Sequence, residues 1–423
     1  MTAHPSDIHS PDDQARASTG VGSTPARGPL HGIRVLDIST VYAAPITAML
    51  LGDYGADVIK IEHPTGDPAR SHGAQKDGHG LWWKVISRNK TCITLHLGTA
   101  EGQQMLRDLV VDADVLVENF RPGVLEKWGL GPDRLHDLNP GLVMLRVTGF
   151  GQSGPYAERR AFGTLAEAMS GFAHQTGSEG GPPTLPPFGL ADGVAGLAGA
   201  FGVVTALLHR NGPDGDGRGQ VIDLSLLEPL LGILGPGPTA YDQLGTIAGR
   251  NGNRSPNNAP RNTYLTKDGR WVAISASATS VATRVMRLVG RPDIVEQPWF
   301  GSAGERSRNG DLLDDAVAKW IADRPLDEVT AEFERVGAAL VPIYDVAQLM
   351  NDPHVLDREC ITTVDDEDLG PIKMQNLMLR MLGTPGAIHF AGRRLGQDNQ
   401  QFYKDSLGID PDRLNALTEK GVL

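Results

Sequence analysis

The sequence predicts an α/β protein: a large domain built on a parallel sheet, followed by a smaller α+β domain. Three observations predict it. A β-α-β pattern closes by Glu62, strand-like runs then alternate with helix-like ones, and the composition changes near residue 250.

The first strand is "IRVLDIS" (Ile33–Ser39), a short apolar run with β-branched residues. "PITAMLLGDYG" (Pro45–Gly55) reads as a helix, with Pro45 in its first turn and Gly55 at its stop. "DVIKIE" (Asp57–Glu62) is the second strand, which completes a β-α-β unit within about 30 residues. "GQQMLRDLVVDA" places Met105, Leu106, Leu109 and Val110 on one helical face. "DVLVEN" (Asp114–Asn119) and "GLVMLRVTG" (Gly141–Gly149) read as further strands. A helix-like run from Val194 to His209 is rich in Ala, Gly and Leu, and "GPDGDGRG" then turns into the strand "QVIDLSL". Gly249–Pro260, "GRNGNRSPNNAP", has no periodicity and reads as a loop. "TYLTKDGRWVAISAS" reads as a hairpin around Lys-Asp-Gly, and "DLLDDAVAKWIADR" as one of several helices after it.

The predicted division is therefore a disordered tail over 1–28, rich in Ser, Pro, Asp, Thr and Gly, and the first part of the large domain over 29–225. A linker and active-site loop follow over 226–257, the small domain over 258–345, and a closing segment over 346–423. The tail lacks the apolar centre of a signal peptide.

The 423 residues carry a net charge of −12 and no dense Lys/Arg run, which argues against a nucleic-acid partner. No unbroken run of 18 apolar residues occurs, so no membrane span is expected and a cytoplasmic location follows. Cys92 and Cys360 have no metal-ligand spacing and read as reduced packing residues; no metal is expected. "GFGQSG" (Gly149–Gly154) matches a dinucleotide fingerprint, but Pro155 follows where a helix should open, so it reads as a loop lining some other site. In "VENFRPGVLEKWGLG" a strand ends at Asn119, and Phe120, Arg121 and Lys127 follow closely. An aromatic face with cations fits a base and phosphates, and a solvated β-α turn fits these residues equally well.

Together these segments resemble the family III CoA-transferases, which include formyl-CoA transferase and α-methylacyl-CoA racemase. The matching stretches are "GIRVLDISTVYAAPITAMLLGDYGADVIKIEHPTGDPAR", "RNKTCITLHL", "VENFRPGVLEKWGLG", "TGFGQSGPYA", "EAMSG", "LADGVAGL", "GRGQVIDLSLLE" and "NDPHV", in order over about 29–423. The resemblance implies a Rossmann-like large domain joined by long linkers to the small one. It also implies an interlocked homodimer whose chain end returns to the large domain. It implies coenzyme A as substrate, with Tyr42, Leu95, Asn119, Phe120 and Lys127 at CoA-contacting positions and Arg121 beside them. Tyr42 stands where formyl-CoA enzymes often carry Gln, Thr40 where they carry His, and His63 where they carry Arg; these changes argue against formyl or oxalate as substrate.

The main departure is in "AFGTLAEAMSG". Gly163 stands where such transferases carry the nucleophilic Asp, and the Gly-His-Asp of the racemases is also absent. Glu167 lies one turn further, on the same face of a helix starting near Gly163 and roughly 6 Å along its axis. Helical side chains lean toward the N-terminus, so its carboxylate can approach the vacant place. Glu167 is accordingly the expected acyl acceptor, with Tyr42 lining the thioester region; a Glu that merely faces the helix dipole is the plainer alternative. Asp192 in "GLADGVAG" is the other acid and reads as an N-cap. The expected activity is CoA transfer from an acyl-CoA to a free carboxylic acid. An acyl-CoA racemase, or a CoA-binding subunit without its own nucleophile, are the alternatives.

Overall fold

The computed structural model describes residues 28–423. The expected disordered tail therefore lies, Gly28 apart, outside the described residues.

Six parallel strands form the central sheet: β1 (Arg34–Asp37), β2 (Asp57–Glu62), β3 (Lys90–Thr94), β4 (Val115–Glu118), β5 (Val143–Thr148) and β6 (Val221–Ser225). Their spatial order is β3-β2-β1-β4-β5-β6, and every pairing is parallel. The order reverses between β1 and β4, so a crevice opens beyond the carboxyl ends of these two strands, where ligands of such sheets bind. Parallel pairing needs crossovers, which bury both faces. Helix α1 (Ala43–Asp53) crosses from β1 to β2 and α2 (Ala100–Val110) from β3 to β4. Leu36, Ile59, Leu106 and Leu116 pack on one side of the sheet, and Val35, Leu51, Val117 and Val203 on the other.

Two helices complete the side that matters here. Helix α3 (Gly163–Met169) is short, and α4 (Leu190–Asn211) runs 22 residues. Helix α4 packs on α1 through its small residues: a Cβ on Gly196 would stand 2.5 Å from Ile46, and Thr47 donates to the Gly196 carbonyl at 2.9 Å. By length and composition α4 is apolar enough to cross a membrane, alone among the described helices. The sequence expectation counted only unbroken apolar runs and passed over it, because its glycines and Thr205 interrupt the run without making it polar. One face is core; Leu197, Phe201, Val204 and Leu208 form an exposed stripe on the other.

Beyond residue 258 a separate core forms. β7 (Arg261–Leu265), β8 (Trp271–Ser275) and β9 (Leu340–Pro342) make an antiparallel sheet, in the order β9-β8-β7. Ala282, Val285, Val317 and Phe333 from its helices pack against Val272 and Ile274. The chain end packs along the outer strand of the central sheet: the Tyr403 hydroxyl donates to the Thr94 carbonyl at 2.7 Å, and His96 N–H to the Val422 carbonyl at 2.8 Å. Cys92 is buried, which pushes its thiol up to about 12, whereas Cys360 is exposed, contrary to its expected packing role.

Candidate active site

The crevice at the sheet's reversal is held open by a strained turn. Val41, a β-branched residue, adopts φ 70° directly after β1. Its N–H is held by the Asp67 carboxylate at 3.1 Å. Asn119, at the end of β4, locks the facing loop: its side chain accepts from Thr40 N–H at 2.8 Å and donates to the Thr40 carbonyl at 2.7 Å. Asn119 thus fixes the two strand ends at the point where the order reverses.

Under this turn lies a buried charge network. Lys90 Nζ reaches Asp37 at 2.9 Å, and Lys60 Nζ reaches Asp67 at 3.1 Å and Asp37 at 3.8 Å. Burial pushes the Asp37 carboxyl up, but Lys60 and Lys90 outweigh it and hold Asp37 below the usual carboxylate range. Lys60 also donates to the Ser39 carbonyl, directly beneath Thr40.

Two cavities flank Thr40. The smaller, about 160 Å³, is lined by Thr40, His63, Leu95, His96, Phe120 and Trp128. Phe120 meets Trp128 edge to face at 5.2 Å, and His63 meets His96 at 4.5 Å. Burial and the neighbouring His96 lower the His63 pKa, favouring a neutral imidazole. Arg121 and Lys127 are exposed and do not line this cavity.

The larger cavity, about 730 Å³, is lined by Thr40, Tyr42, His72, Asn119, Gly163 and Asp192 among others. Tyr42 stacks on Trp82 at 4.8 Å and meets His72 edge-on at 5.1 Å. Burial, and then the Asp192 charge, raise the Tyr42 pKa. "GFGQSG" lines this cavity through Gly149, where a Cβ would stand 2.1 Å from that of Ala161. No helix opens from it; the next begins at Gly163. The loop 249–260 contributes nothing to this lining. It is tied elsewhere, with Arg250 donating to the Gly181 and His174 carbonyls at 2.9 Å and Arg254 meeting Asp314 at 2.7 Å.

Gly163 and Glu167 share the inward face of α3, as the helical spacing predicts. Glu167, however, is only 2% exposed and does not line the cavity. Its Oε1 accepts the Ala191 N–H at 3.2 Å, capping the first turn of α4. Asp192 is not the N-cap expected from sequence: Gly189 holds that place, and Asp192 sits in the first turn facing the cavity. Burial, reinforced by the Glu167 charge, pushes the Asp192 carboxyl up to about 6. Sequence reasoning undervalued Asp192 because the helix begins earlier than the polar residue suggests. Among the described residues no group of three or more His, Cys, Asp or Glu is placed to hold a metal.

Three comparisons bear on this geometry. A family described as CoA-transferase family III matches residues 30–399. Succinyl-CoA–D-citramalate CoA-transferase of Chloroflexus aurantiacus is 41% identical over 397 residues, covering 93% of this chain and 98% of that protein. The succinyl-CoA–L-malate CoA-transferase beta subunit of the same organism is 39% identical, again over 93% and 98%. Among solved structures, a CAIB/BAIF family protein from Brucella suis superposes with TM-score 0.79 at 28% identity, covering 90% of this chain and 100% of that one.

Proposed function

The chain belongs to CoA-transferase family III, and we propose from that premise that it moves CoA from succinyl-CoA to a small dicarboxylic acid. The donor and acceptor classes follow from the relatives' own substrates. The observation that carries the reading is Asp192, beside Gly163 in a cavity opening at the sheet's reversal, with the Glu167 carboxylate buried behind it.

CoA lies across both cavities. Phe120 and Leu95 hold the nucleotide end, with His63 neutral beside them. Arg121 and Lys127 meet the phosphates from the exposed rim. Thr40 and Asn119 form the bridge over which the pantetheine arm passes, and Tyr42 lines the thioester. A carboxylate of the Glu167–Asp192 pair attacks the thioester and releases CoA thiolate. The thiolate then adds to that carboxylate's carbon, the anhydride C–O bond breaks and the donor acid leaves as carboxylate, and the incoming acid runs both steps in reverse. Splitting one exchange into equal steps lowers each barrier. The cavity walls keep water from the anhydride.

Two copies interlock as a cytoplasmic homodimer. The bare stripe Leu197, Phe201, Val204 and Leu208, and the exposed Tyr241, Leu244 and Ile247, support covered apolar surface, since such surface is seldom left open. Similarity to a beta subunit favours a second reading, in which a different chain covers that face. The test is to incubate the purified chain with succinyl-CoA and citramalate or malate and separate the thioesters. A new acyl-CoA from the chain alone supports the first reading. Transfer only after a partner chain is added supports the second, and none under either condition contradicts both.

A further inference from the structure

We propose that His72 receives the far carboxylate of the four-carbon substrate and so selects diacids over monoacids. This rests on the transferase reading above and names the residue that sets its substrate class.

Charge singles it out first. A succinyl group carries a carboxylate at the end remote from the thioester, and a carboxylate leaving water needs a donor or a counter-charge. Among the described residues lining the 730 Å³ cavity, His72 is the one side chain able to carry positive charge; no Lys or Arg lines it. The charged group in the same lining is Asp192, which repels a second carboxylate. The cations nearby are already engaged. Lys60 and Lys90 are buried against Asp67 and Asp37 beneath the Thr40 turn. Arg70 turns away to grip Glu62 at 2.6 and 2.7 Å and to lie over the Trp83 ring.

Placement points the same way. His72 follows the single turn Pro68–Ser71, whose Asp67 cap accepts the Ala69 N–H at 2.8 Å. The same carboxylate holds the Val41 N–H, so one acid fixes both the His72 turn and the turn that presents Tyr42. The His72 ring stands edge-on to Tyr42 at 5.1 Å, and Tyr42 is backed by Trp82 at 4.8 Å. Aromatic packing therefore sets its position without using its polar atoms. Among the described residues nothing bonds the His72 ring nitrogens, whereas Nδ1 of His63 is engaged by the Thr65 hydroxyl at 2.8 Å. An imidazole held in this way offers one N–H, and a second with a positive charge when protonated.

Tyr42 connects the two ends of the site. It feels the Asp192 charge, and His72 packs on its ring. A thioester whose carbonyl carbon stands at Asp192 runs along Tyr42, with the far carboxyl carbon of an extended four-carbon chain about 4 Å further on. There the His72 N–H meets it. A monoacid of the same length brings a methyl group to that place and leaves the imidazole without an acceptor.

The test compares two donors on the same sample of the full chain, with malate as acceptor: succinyl-CoA, and butyryl-CoA, in which a methyl group replaces the far carboxylate. In a two-step exchange the kcat/KM of a donor reports its own half-reaction, and the ratio of the two is independent of how much of a variant is folded. The wild type should favour succinyl-CoA by about 10- to 100-fold. His72→Leu should bring the ratio to within about threefold of one. His72→Arg, which restores a donor of different shape, should keep a preference of about tenfold or more, a rescue that a merely structural role for the ring does not predict. A wild type indifferent to the two donors, a ratio unchanged in His72→Leu, or a ratio lost equally in His72→Arg overturns the assignment and leaves the transferase reading standing. No transfer by the wild type from either donor overturns both.

Discussion

Two sides of the crevice treat carboxylates in opposite ways. Under the Thr40 turn, Asp37 is fully buried between Lys60 and Lys90, and its carboxyl is held low. Across the cavity, Asp192 has a second carboxylate, Glu167, as its charged neighbour, and its carboxyl is pushed up to about 6. Burial pushes both carboxyls up, and the shifts end opposite because only one side supplies cations. The neutralised side ties the strand ends together, and the uncompensated side carries the raised carboxyl that the proposed transfer would use.

The largest way to break this contrast is to uncompensate the quiet wall. Lys90→Met removes the closest cation from Asp37 and leaves the Pro45 carbonyl without its donor. The expected loss is about 3–5 kcal/mol, read from chemical denaturation. A loss below about 1 kcal/mol would mean that Lys60 alone suffices.

The next perturbs the reactive wall without touching a charge. Gly163→Ala should fold, because the atom met first is the far end of the Asp192 side chain. The added methyl displaces that carboxylate, and kcat should fall about 10²-fold with little change in melting temperature. Unchanged kcat would show that Asp192 does not need the space beside Gly163.

Asp192→Asn sharpens the contrast through stability. A carboxyl whose folded pKa lies near 6, against an ordinary 3.8, favours the fold below pH 3.8 and loses that contribution as pH rises through 6. The neutral amide escapes the loss. The variant should therefore be more stable than wild type by about 2 kcal/mol at pH 7.5, with the gain vanishing near pH 4. Stabilisation together with loss of CoA transfer would mark strain held for chemistry. The smallest effect is expected at the rim, where Lys127→Ala should raise the KM for acyl-CoA about threefold at low salt and less at high salt.

Much of this was legible in the chain. The alternation of "VLDIS", "VIKIE" and "VLVEN" with helical runs leads to the parallel sheet. Other features were hidden for physical reasons. Lys60 and Lys90 sit within strand-like runs whose spacing cannot tell a solvated lysine from a buried one; that depends on Asp37, brought over by strand pairing. Asp192 resembled a cap because Asp is common there, and only the start of α4 at Leu190 places it a step inside the helix. The meeting of Glu167 with the turn of Asp192 belongs to the packing of α3 on α4, which periodicity within either helix does not encode.

The central claim is an uncompensated carboxylate in an otherwise neutralised cleft. Its most direct test is a carboxylate titration of the free protein by infrared difference spectroscopy, wild type against Asp192→Asn. A signal titrating near 6 in the wild type, absent from Asp192→Asn and displaced to lower pH by Glu167→Gln, is the predicted result. A signal that titrates in the ordinary carboxylate range, indifferent to Glu167, would contradict it.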